Sequence, residues 1–156
     1  MRPDVLERLE RELRGTAARD GISDFVVGVA VFREHKLLVV RRVPGDYRGG
    51  LYELPGGGVE SGETFAQSVA RELLEESGLR LRRITEYLGA TDYATRRRAR
   101  VRKFGFLVET EPGEVSLAPG EHDDHAWIDA ESLSGLPMAE DVREAVRALV
   151  EEPRAS

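Results

Sequence analysis

The sequence predicts an α/β fold, a mixed β-sheet between helical layers with an additional N-terminal helix, and three observations predict it. Asp24 to Arg33 is dense in β-branched and aromatic residues and is followed, after the short turn Glu34-His35-Lys36, by a second such run, Leu37 to Val43. This pattern reads as a β-hairpin. Leu54 to Leu79 passes from a short strand through four glycines into a capped helical pattern, and Met138 to Glu151 closes the chain with a second one.

The elements follow in order. Asp4 to Ala18 places Val5, Leu6, Leu9 and Leu13 at helical spacing, with Glu and Arg on the other face. Residues 1–20 are thus expected to form a helical extension that packs on the sheet or on a partner subunit, ahead of a domain spanning 24–150. Arg41 and Arg42 end the second strand and must point to opposite faces; one of them is expected to reach a phosphate. Pro44 to Leu51 is a loop in which Tyr47 and Arg48, with Tyr52 just beyond, are candidates for stacking on a base or holding phosphate. Thr64 followed by Gln67 is a capping-box pattern, so a helix should begin at Thr64 or Phe65 and stop at Gly78. Arg82 to Tyr93 and Phe104 to Glu109 read as strands, with the basic run Arg96 to Lys103 between them as a hairpin tip of solvated arginines. Trp127 reads as core. Ala130 to Leu133 and the last helix follow, with Val142, Ala145, Val146, Leu149 and Val150 as the buried stripe.

Composition narrows the class. The 156 residues suffice for one domain with a sizeable core, and a hydrophobic fraction of 40% is ordinary for a globular chain. The absence of cysteine excludes disulfides and thiolate chemistry, which accords with a reducing cytoplasm. No apolar run approaches the ~20 residues of a membrane span. A net charge of −6 argues against general nucleic-acid binding.

The chemistry concentrates in Arg71-Glu72-Leu73-Leu74-Glu75-Glu76. On a helix, Glu72, Glu75 and Glu76 share one face, and like charges at that spacing repel. A cation should sit against them, and carboxylate oxygens suit a hard divalent ion, Mg2+ first and Mn2+ as the alternative. The full run Gly57, Glu63, Arg71-Glu72-Leu73, Glu75-Glu76, Gly78-Leu79 matches every defined position of the Nudix box, G-x5-E-x7-R-E-U-x-E-E-x-G-U, and the chain resembles the Nudix (MutT-like) hydrolase family.

The resemblance implies an α/β/α sandwich and metal-dependent hydrolysis of a diphosphate linkage. The metal would be held by Glu72, Glu75, Glu76 and the Gly57 carbonyl. The family's general base is a box glutamate or an acid outside the box, here Glu121 or Asp124, a few residues before Trp127-Ile128. Glu63 and Arg71 would form a supporting ion pair, and Gly78 would shape the box. His122 and His125 read as surface residues rather than ligands. A nucleoside triphosphate, canonical or oxidised, is the first substrate expectation. Nucleotide sugars, ADP-ribose and dinucleoside polyphosphates come next, then an RNA 5′ end, then a catalytically silent ligand sensor. The run S-Q-P-W-P-F-P-x-S typical of NADH pyrophosphatases is absent. A small-molecule nucleotide is therefore the expected partner, with no membrane and with nucleic acid disfavoured, and homodimerisation is left open.

Overall fold

A computed structural model describes residues 1–95 and 99–152. Its elements are α1 (Pro3–Arg19), β1 (Asp24–Arg33), β2 (Lys36–Arg42), β3 (Tyr52–Glu53), β4 (Gly56–Gly58), α2 (Phe65–Ser77), β5 (Leu81–Ala94), β6 (Arg100–Thr110), β7 (His122–Ile128), α3 (Ala130–Leu133) and α4 (Glu140–Glu151). The expected α/β class with a mixed sheet is what the chain adopts. The strand order is β3-β2-β1-β6-β5, with β4 on β1 and β7 on β2; β1 and β6 run parallel and the other pairs antiparallel.

Alternation along the strands divides the core into two layers. Val27, Val29 and Val31 of β1 and Phe104, Phe106 and Val108 of β6 face Phe65, Val69 and Leu73 of α2, and Leu6, Leu9 and Leu13 of α1 pack onto the same layer. Ala30, Leu37 and Val39 face the opposite way, toward Leu133 of α3 and Val146 and Leu149 of α4. The result is helices on both faces of one sheet.

Two features of the strands create the site. β1 pairs with β2 only beside the hairpin turn, at Phe32 and Arg33. Beyond that point the strands diverge, and β4 takes the edge of β1 at Val26 to Gly28. The turn itself uses left-handed backbone at Glu34 and His35 (φ 52° and 66°).

Boundaries shift modestly from expectation. Gly78 closes α2 in the left-handed conformation, with φ 73°, where a non-glycine residue is disfavoured. Helix α4 starts at Glu140 rather than Met138. The basic run departs further. Arg96, Arg97 and Arg98 lie outside the described residues, while Arg100, Arg102 and Lys103 belong to β6 rather than to a solvated tip. Arg102 donates to Asp92 and Asp20, and Arg100 to the Asp20 carbonyl, so these cations staple β6 to β5 and to the end of α1.

Candidate active site

The acids are presented by a helix whose start and end are both determined by local chemistry. Thr64 accepts from the Gln67 amide while the Gln67 side chain accepts from the Thr64 amide, which completes the capping box. Glu10 of α1 accepts from the Phe65 amide, so a carboxylate from another helix satisfies one more unpaired donor at the start of α2. Val69 and Leu73 anchor the helix in the core, and this leaves Glu72, Glu75 and Glu76 on the flank that faces β4.

Glu72 and Glu76 are only 7% and 3% exposed. The Gly56 amide donates to Glu76 at 2.8 Å. Close approach of the loop requires glycine twice. A Cβ on Gly57 would stand 2.4 Å from a Glu72 carboxylate oxygen, and one on Gly56 would stand 2.2 Å from the Val27 carbonyl. The adjacent glycines therefore let the loop backbone lie directly against the acids.

One guanidinium organises the rest. Arg71 donates to both oxygens of Glu63 at 2.7 and 2.9 Å, to Glu72 at 2.8 Å, to Glu75 at 3.3 Å and to the Gly58 carbonyl at 2.8 Å. The bidentate pair holds the Glu63 carboxyl well below its ordinary range, at about 2. Part of the cation expected against the acid cluster is thus internal. Among the described residues Glu76 receives no such pairing. Burial pushes its carboxyl up to about 8, opposed by the Gly56 amide and reinforced by the nearby charges of Glu121, Glu72 and Glu53. Burial also raises Glu72, opposed by Arg71.

Glu121 and Asp124 part company here. Ligand atoms of Glu76, Glu121 and His122 lie within 4.8 Å of one another. Asp124 turns away: it accepts from the Tyr52 hydroxyl, which lowers its pKa. A register shift in the β2–β7 pairing between Arg41 and Arg42 separates the two faces, so that His122 opposes Arg42 and Asp124 opposes Arg41.

His122 is the residue that sequence reasoning misplaced. It is 3% exposed, and its Nε2 lies 3.0 Å from Glu53, whose other oxygen accepts from Arg42. No local pattern marked it, because its burial is set by the β2–β7 pairing that places it opposite Arg42. Glu53 was missed as well. Arg42 and His122 together hold its carboxyl below the ordinary range against the opposing effect of burial.

The remaining candidates are placed as follows. Arg41 donates to Asp123 and stacks near the Tyr52 ring. Tyr52 is a buried wall of the α4-side core, so its ring is packed rather than open for stacking. Arg48 donates to Asp141 of α4. Tyr47 and Tyr93, both exposed, line a cleft with Gly45, Asp46, Ala94 and Thr95. His125 is half-buried on β7.

Buried Glu72 and Glu76, the latter without a counter-cation among the described residues, together with exposed Glu121, make a carboxylate set that fits a hard divalent ion; these side chains would hold it, with Glu75 at the rim.

This fold and site define the Nudix hydrolase class, and comparison with known proteins agrees. Residues 23–149 match the model of the NUDIX domain. The chain belongs to the NUDIX family. It is 37% identical over 101 residues to a Haemophilus influenzae protein named NAD-capped RNA hydrolase NudC, covering 64% of this chain and 37% of that one. A protein of the same name from Actinobacillus succinogenes is 35% identical over 113 residues, covering 70% and 41%. The chain thus spans about two fifths of the length of these curated relatives. Among solved structures, the MutT NUDIX hydrolase from Burkholderia pseudomallei aligns with a TM-score of 0.66 at 27% identity, covering 78% of this chain and 94% of that one. The E. coli ORF135 protein aligns with a TM-score of 0.69 at 25% identity, covering 88% and 98%.

Proposed function

We propose that this chain hydrolyses a phosphoanhydride in a nucleoside diphosphate derivative, first among them a nucleoside triphosphate cleaved to the monophosphate and pyrophosphate. The observation that carries this reading is the meeting of Glu76, Glu121 and His122, with Glu72 beside them against a loop that two glycines allow to approach. A diphosphate resists attack because it is anionic. Mg2+ or Mn2+ held by these carboxylates would neutralise that charge and acidify a bound water. The chain's own residues do the rest. Arg71 fixes Glu72 and Glu75 in place through Glu63 and the Gly58 carbonyl. A carboxylate of the Glu76–Glu121 pair takes the proton of the attacking water. Tyr47 and Tyr93, which line one cleft, offer rings on which a nucleobase would stack.

A second reading is favoured by one observation: the curated relatives reported above are named NAD-capped RNA hydrolase. On that reading the substrate is a dinucleotide, free or at an RNA 5′ end. The test is release of phosphate or pyrophosphate with Mg2+ across nucleoside triphosphates, 8-oxo-dGTP, ADP-ribose, NAD, sugar nucleotides, dinucleoside polyphosphates and capped RNA, with Glu76→Gln as the blank. Metal-dependent release that the variant loses supports hydrolysis and names the substrate class. Silence of the native chain across the panel refutes it.

A further inference from the structure

Lys103 stands apart from every other cation near the site. It lies on β6, opposite Val26 of β1 and Thr91 of β5, and faces the α4 side of the sheet. Its side chain runs flat across Gly28: a Cβ there would stand 2.8 Å from its Cε and 3.6 Å from its Nζ. Gly28 sits between Val27 and Val29 in the middle of a strand, where glycine weakens the element. The missing side chain is what gives the lysine its path. Gly28 in turn pairs with Gly56, the residue whose amide holds Glu76. The ammonium is therefore separated from the acid cluster by bare backbone.

Its charged surroundings are Glu53, Asp141, Arg48 and Glu76. Each carboxylate among them is already engaged: Glu53 by Arg42 and His122, Asp141 by Arg48, and Glu76 by the Gly56 amide. Among the described residues Lys103 makes no hydrogen bond or ion pair, and burial lowers its pKa. Lys103 is half-buried with no partner of its own among the described residues, and a ligand that brings an oxyanion supplies one.

We propose that Lys103 is a substrate-binding residue that grips a non-bridging phosphate oxygen of the nucleotide, on the opposite side of the Gly28–Gly56 backbone from the metal-holding acids. This rests on the phosphoanhydride reading for the identity of the ligand. The lysine supplies a point charge, and Gly28 supplies the track that directs it. The substrate class is thereby narrowed to molecules with a phosphate reaching the α4 side of the sheet, not only the diphosphate held by the acids.

The experiment uses the full chain with Lys103→Met, Lys103→Arg, Gly28→Ala and the Gly28→Ala/Lys103→Met pair. Binding of a nucleoside triphosphate analogue with a methylene between its α and β phosphorus atoms is measured by calorimetry, beside KM, kcat and Mg2+ half-saturation on the best panel substrate. Losing one charge-assisted bond predicts analogue Kd and substrate KM raised about 10- to 100-fold in Lys103→Met. Lys103→Arg is expected to retain most of the affinity. Gly28→Ala is expected to show part of the same loss, with no further loss in the pair because both act through one contact. The melting temperature of Lys103→Met is expected to hold or rise, since no internal partner is orphaned.

Native-like analogue binding by Lys103→Met overturns the proposal, as does a native chain that does not bind the analogue. So does an unchanged KM with a shifted Mg2+ half-saturation and a moved acid limb of the pH profile, which would make the lysine a counter-ion to Glu53 and Glu76. Analogue binding that depends on Lys103 in a chain that hydrolyses nothing would sink the proposed reaction and leave this site standing.

Discussion

Replacing Glu76 by glutamine should make the metal-free protein more stable while abolishing its turnover. Glu76 is 3% exposed and held by one backbone amide, and burial raises its carboxyl from 4.5 to about 8. The sign follows from linkage. An acid whose folded pKa lies above its unfolded one loses stability as pH rises from the unfolded value to the folded one. At pH 7 that loss spans about 2.5 pH units, which at ~1.4 kcal/mol per unit sets a ceiling of roughly 3.5 kcal/mol. Glutamine keeps an oxygen for the Gly56 amide and carries no charge. With side-chain relaxation, the expected gain is roughly 1–3 kcal/mol, or about 3–10 °C in Tm for a chain of this size. The assay is thermal unfolding of both proteins in EDTA at pH 5, 6, 7 and 8. The difference should grow with pH and level off above about 8. Added Mg2+ should then raise the Tm of the native chain more than that of the variant. A variant that melts below the native chain at pH 8 without metal refutes the reasoning, because the buried charge would then not be the cost.

Three further outcomes follow from the geometry. Glu63→Gln removes one half of a bidentate pair and should cost about 1–3 kcal/mol at neutral pH. Because the Glu63 pKa is depressed to about 2, that contribution is present above 4.5 and fades as pH falls toward 2, so urea melts of the two proteins should converge in acid. Glu121→Gln should cut kcat by about 100-fold or more, whereas Asp124→Asn, whose carboxylate serves Tyr52, should cost less than about tenfold; the reverse order in steady-state kinetics would reassign the two. Gly57→Ala should displace the Glu72 carboxylate, because its Cβ would stand 2.4 Å from an oxygen. Higher Mg2+ half-saturation with a circular dichroism spectrum like that of the native chain is the expected signature.

The site was legible in the chain to the extent that it is local. Glu72, Glu75 and Glu76 fall on one helical face by periodicity alone, and Thr64, Gln67 and Gly78 mark the helix ends by capping chemistry that operates within a few residues. What was hidden depends on pairing between distant strands. Whether Glu121 or Asp124 meets the acids is decided by a register shift against β2, a contact between segments some eighty residues apart. The same register buries His122 against Glu53. The basic run misled for a related reason: charge density reads as solvated, yet Asp92 on the neighbouring strand and Asp20, remote in sequence, hold Arg102 in a strand.

The contact between Glu10 and the Phe65 amide gives the first helix a reach beyond its own packing. Glu10 also receives Arg14, which lies over the Phe65 ring and donates to the Glu63 carbonyl. At the other end of α2, the Ser116 amide bonds to the Ser77 carbonyl. The acid-bearing helix is thus a beam pinned at both ends by segments far from it in the chain. Loosening residues 1–20 would take away two supports at the start of that beam, the Glu10 acceptor for the Phe65 amide and the Arg14 donor to the Glu63 carbonyl.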